Sequence, residues 1–138
     1  TNPEQATAMR ARGADMATMG IEAFSIDRAP KLVNAAASEE LVAEVAKMMS
    51  DSVRMPSYQW AANSMAEADH RPDLASITCP TLVIVGDEDA VTGPAAAARL
   101  ADGIPGAELV TIPAAGHLAN QERPSAFNDA VARFLGGL

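Results

Sequence analysis

One cysteine stands in these 138 residues, so no internal disulfide can form. Cys79 lies between Thr78 and Pro80 with no histidine beside it, the setting of a structural residue at the entry to a strand rather than of a nucleophile. Positive charge is equally thin. Ten lysines and arginines against 18 aspartates and glutamates leave a formal charge of −8, and no basic cluster occurs, which argues against nucleic acid as a partner. No apolar run approaches the length of a membrane span and no signal peptide opens the chain. The expectation is a cytoplasmic protein with no membrane partner, although the sequence starts at Thr1 rather than at a methionine. The two histidines, His70 and His117, are 47 positions apart with no further His or Cys at ligand spacing, so no metal is expected. Phosphate-loop and dinucleotide fingerprints are missing too. The one similar stretch, Gly103 to Gly106, precedes a strand instead of a helix, and no cofactor is expected. There is no repeat, low-complexity tract or heptad pattern.

What is present is apolar enough, at 49% of residues, for a globular core, and it divides into two blocks. The first, residues 1–71, reads as helical throughout. Asn2-Pro3-Glu4-Gln5 carries an N-cap residue, a proline at the first helical position and a glutamine at the third, and Ala6, Met9, Gly13, Met16 and Ala17 then form one stripe up to Gly20. Ile21 to Phe24 reads as a short second helix, broken at Arg28-Ala29-Pro30. Ser38 caps a third, with Glu39 and Glu40 near the positive end of its dipole and Leu41, Val42, Val45, Met48 and Met49 at helical spacing. Pro56 starts a fourth, with Tyr58, Ala61, Ala62, Met65 and Ala68 expected inward and Trp60 on another side. All seven methionines fall in this block. Ordinary filling of gaps between helices explains them; a flexible apolar wall over a pocket is the functional alternative.

His70-Arg71-Pro72-Asp73 links to the second block, residues 72–138. His70 sits at the expected end of a helix, where a cation suits the dipole, and is read as structural rather than as a base; Asp73 is read as a hinge or surface residue. Thr81 to Val85 is short, β-branched and apolar after its first residue, the pattern of a parallel strand covered on both faces. It ends at Gly86 in an acidic turn, Asp87-Glu88-Asp89. Thr92 or Gly93 then caps a helix opened by Pro94 and ending at Asp102-Gly103, and Glu108 to Ile112 is a second strand that runs out before Ala115-Gly116-His117. A last helix starts at Arg123-Pro124-Ser125, has one apolar face in Phe127, Val131, Phe134 and Leu135, and stops at Gly136. Strand, helix, strand with a right-handed crossover makes the strands parallel and brings both of their ends to one edge of the sheet. The acidic turn and His117 therefore emerge side by side, and a carboxylate next to an imidazole has the parts to take a proton from a hydroxyl.

Two stretches, CPTLVIVGDEDAVTGP and IPGAELVTIPAAGHLANQERPSAFNDAVARFL, resemble the C-terminal half of the α/β-hydrolase family: an acid three residues after Gly86, a histidine after Ala-Gly, and a Glu-x-Pro element just beyond. The likeness is close from about Ile77 onward and looser before it. It implies an α/β fold in which residues 1–71 are a helical cap, or lid, and residues 72–138 the C-terminal part of a parallel-sheet core. It also implies a triad in which Asp89 is the orienting acid and His117 the general base, 28 residues apart, with Asp87 and Glu88 left solvated or capping the turn. The family's nucleophile motif, G-x-S-x-G, occurs nowhere in the sequence. The fold is thus expected to be incomplete alone, with two strands of unpaired edge. Its expected partners are the missing N-terminal half or a swapped copy in a homo-oligomer, and a small apolar ester or lactone as substrate. Small ester and enol-lactone hydrolases match the pattern best. Cofactor-free haloperoxidases, dehalogenases and carbon–carbon hydrolases share much of it, and a catalytically inactive binding or assembly module that keeps Asp89 and His117 as remnants is the reading of a different class.

Overall fold

The computed structural model describes residues 3–137. Within them the chain forms two compact units: residues up to Ala29 together with Glu39–His70, and Pro30–Ser38 together with the chain from Arg71 onward.

The first unit is all helical, as its periodicity requires. Helix α1 (Pro3–Met19) stops where Gly20 takes φ 80°, a backbone angle that side-chain-bearing residues avoid. Asn2, expected to cap it, lies outside the described residues. Helices α2 (Ile21–Arg28), α3 (Glu39–Ser52) and α4 (Ser57–Glu67) follow. α1 packs on α4 and α2 on α3. Val45 and Met49 are buried on α3 as their spacing predicts, whereas Met48 is exposed. On α4 the buried stripe runs through Ala62 and Ala66, so Met65 faces outward at 53% exposure, against expectation. Ala61, also expected inward, is exposed as well, and Gly13 of α1 makes room for the side-chain amide of Gln59, which would lie 1.8 Å from a Cβ there. Phe24 and Tyr58 meet edge to face with ring centroids 5.5 Å apart.

In the second unit, β1 (Leu82–Gly86) and β2 (Glu108–Ile112) pair in parallel, from Leu82 opposite Glu108 to Gly86 opposite Ile112. The crossover is α5 (Pro94–Gly103), with Pro94 at its first position and Gly93 at φ 78° just before it. A one-turn helix, α6 (Ala119–Glu122), and the final α7 (Pro124–Gly136) follow. Ile84, Val110 and Ile112 alternate to one face of the sheet and pack with Ala115, Ala119, Ala126 and Phe127. Helix α5 also packs on both strands. The sheet has only these two strands among the described residues, so each keeps one unpaired edge, as expected of a partial α/β fold.

Three short elements escape the sequence reading: α6 and the 3-10 turns Ala29–Lys31 and Arg71–Ser76. Residues Pro30–Ser38, which lie within the 1–71 block of the sequence reading, pack with the strand-bearing unit. No helix among the described residues is long and apolar enough to cross a membrane.

Candidate active site

Both strands end at the same edge, and the residues that follow them are tied together by backbone. Asp87 N–H donates to Ile112 O (3.0 Å) and Glu88 N–H to Ala115 O (2.9 Å). The approach leaves no room for a side chain at Gly86, where a Cβ would fall 2.1 Å from Ala115 O. The acidic turn and the loop 113–118 are thus one stapled unit, and it carries Asp89 and His117.

Asp89 is buried, its side chain only 4% exposed, whereas the His117 side chain is 35% exposed. Asp89 Oδ2 lies 3.1 Å from His117 Nδ1 and accepts the Thr92 hydroxyl at 2.7 Å; Oδ1 accepts the N–H groups of Val91 (2.7 Å) and Thr92 (3.2 Å). Burial pushes the Asp89 carboxyl up, but the hydrogen bonds from His117, Thr92 and Val91 together outweigh it and hold the group at about 2. An anion there fixes the histidine tautomer: Nδ1 carries the proton toward Asp89, and the other ring nitrogen keeps a lone pair. Asp87 and Glu88 are exposed, and the Asp87 carboxylate reaches only the Ala115 N–H, at 3.4 Å. Of the three adjacent acids, Asp89 is the one that meets His117.

The loop is also held from below. Glu122 is buried, and its carboxylate takes two backbone N–H groups at 2.7 Å each, Gly116 on Oε1 and Asn34 on Oε2. Asn34 in turn donates its side-chain N–H to Ala114 O at 2.6 Å. Glu122 is visible in the sequence as the start of Glu-x-Pro, but its partners are not. Asn34 gives no sequence signal at all, and Thr92 reads as a helix cap when it in fact holds Asp89.

Alongside these groups runs a groove of about 270 Å³, lined by Val83 to Gly86 of β1, by Ala97 and Leu100 of α5 and by Phe127 of α7, and reaching Asp89, Thr92 and His117. His70 and Asp73 lie elsewhere in the chain, between α4 and β1, and both are exposed. Cys79 is an exposed free thiol. No group of His, Cys, Asp and Glu among the described residues could hold a metal ion.

The fold that carries this pair is shared with known proteins. The alpha/beta hydrolase family pattern matches residues 2–130, and the chain belongs to that family. Among curated proteins it is 42% identical over 74 residues, 54% of this chain and 27% of the other, to 3-oxoadipate enol-lactonase 2 of Acinetobacter baylyi. Among solved structures it superposes on a thermophilic esterase from Thermogutta terrifontis with a TM-score of 0.83 and 28% identity, covering 99% of this chain and 52% of the esterase. The enol-lactonase from Burkholderia xenovorans gives a TM-score of 0.78 and 31% identity over 91% of this chain and 49% of that one. The chain therefore spans about half the length of these solved structures.

Proposed function

We propose that this chain supplies the acid and the base of a serine hydrolase acting on small esters or lactones. The observation that carries the reading is the buried Asp89 carboxylate held 3.1 Å from Nδ1 of a partly exposed His117. In the reaction, the free ring nitrogen of His117 takes the proton from a serine hydroxyl as its oxygen attacks the substrate carbonyl. The imidazolium, stabilised by Asp89, then protonates the leaving alkoxide; a water activated the same way releases the acid. The serine and the oxyanion donors come from residues outside these 138, since the sequence contains no G-x-S-x-G. The unpaired edge of β1 along its apolar groove supports such an upstream half, or a swapped copy, as the partner that completes the sheet. The helical first unit is assigned to the lid of that enzyme. The lactonase and esterase likenesses support the substrate class.

The missing nucleophile motif also favours a second reading, in which this chain is a non-catalytic binding or assembly module. Turnover of a short activated ester and of a small lactone by the full natural protein carrying this sequence separates the two. Rapid hydrolysis abolished by His117→Ala supports the enzyme; no turnover of any ester or lactone supports the module.

A further inference from the structure

We propose that Glu122 is a positioning residue for His117, a buried carboxylate that clamps the backbone of the loop carrying the imidazole. The role rests on the hydrolase reading above. His117 is partly exposed and loop-borne, so packing of its own ring does little to fix where it stands. Its neighbours in the chain do so instead. Gly116 N–H, one residue before it, donates to Glu122 Oε1, and Leu118 N–H, one residue after it, donates to Leu32 O at 3.1 Å. Glu122 Oε2 anchors the clamp on Asn34 N–H, and the Asn34 side chain reaches back to Ala114 O. Ala114 adopts φ 53°, a region that residues with a Cβ occupy only when their surroundings hold them there. Both segments are pressed together so closely that Gly116 has no space for a Cβ.

The chemistry of the clamp requires a carboxylate. One N–H donor meets each oxygen of the carboxylate, and an amide of the same shape would present its NH₂ to one of them. Losing one of these bonds leaves the peptide before His117 free to turn, and with it the imidazole relative to Asp89. Misplacement of a reacting group by about 1 Å is enough for a roughly 100-fold loss in rate.

The test is Glu122→Gln in the full natural protein carrying this sequence, with kcat and KM measured on a short activated ester. The Nδ1–H signal of His117 is followed in parallel by NMR of histidine-labelled protein. The expected result is folded protein whose kcat falls about 10- to 100-fold with KM changed by less than about twofold, together with a weakened or broadened Nδ1–H signal. Unchanged kcat and an unchanged signal in the folded variant overturn the proposal. So does wild-type kcat per folded molecule in a variant that is only less stable, since Glu122 would then be merely structural. Should Glu122→Gln not fold, the same two readouts on Asn34→Ala, which loosens Ala114 with the carboxylate intact, decide the matter: both unchanged overturns the clamp. His117→Ala tests the hydrolase reading separately. Full turnover in that variant sinks the reading, whereas the NMR signal reports on Glu122 without any turnover.

Discussion

The Glu122 carboxylate accepts the backbone N–H of Asn34 at 2.7 Å across 88 positions of sequence. Its other oxygen takes Gly116 N–H, so two segments with no local relation are joined on one side chain next to His117. The join has almost no slack. A Cβ added at Gly116 would lie 2.5 Å from the carbonyl carbon of Val33 and 2.6 Å from Asn34 N, both backbone atoms that cannot swing aside. Gly116→Ala is therefore expected to cost about 2 kcal/mol or more of stability, read as a lower midpoint in urea unfolding, and to lower turnover in the folded remainder. A variant with unchanged stability would show that the loop is looser than its geometry implies.

Replacing His117 by alanine should leave the fold intact, because the side chain is exposed and contributes little to the core. Turnover by the full protein should fall at least about 1,000-fold, since the proposed reaction passes the serine proton to His117. His70→Ala is the control and should change turnover by less than about twofold. The reverse pattern, with His70 essential and His117 dispensable, would place the base in the wrong loop.

Asp89→Asn removes both the charge and one of two acceptor oxygens. The amide cannot stabilise an imidazolium, and its N–H₂ group must face either the N–H groups of Val91 and Thr92 or the Thr92 hydroxyl and His117 Nδ1. Turnover should fall by about 1,000- to 10,000-fold, with KM little changed. A loss of only a few-fold would mean that Asp89 fixes the turn and takes no part in the reaction.

The same carboxyl gives the protein an acid limit. Its folded value of about 2 lies below its ordinary 3.8, so the unfolded chain binds the proton more readily than the folded one. The sign follows: the stabilisation, roughly 2 kcal/mol, is complete above about pH 4 and is lost as pH falls through about 2. Urea unfolding from pH 6 down to pH 2 should show wild type losing its advantage over Asp89→Asn within that window. Parallel curves for the two proteins at every pH would contradict it.

Much of the second unit could be read from local pattern because its signals are local. The apolar run ending at Gly86, the prolines at 94 and 124 and the run Glu108 to Ile112 give strands and helix starts to within a residue. The crossover rule then places the acidic turn beside His117 without further information. The family pattern selects Asp89 from three adjacent acids, and in the structure Asp89 is the buried one of the three. The inward face of α4 differs from the expected one because helical period identifies a stripe but not which of two adjacent stripes meets a partner: Ala62 and Ala66 are buried, and Met65 is not. Asn34 and Glu122 were beyond reach for a related reason. Their bonds run to backbone N–H groups, which every residue but proline offers, so nothing in the sequence marks the recipients.

The tie between Asn34 and Glu122 also sets an order of events during synthesis. A ribosome adding about 5–20 residues per second needs roughly 4–18 s to travel from one to the other, and all that time the segment around Asn34 has no anchor for its N–H. Local helices can form meanwhile, but the histidine loop cannot take its final shape until the carboxylate emerges. A product released between residues 117 and 122 would contain Asp89 and His117 and still lack the group that holds the histidine loop in place.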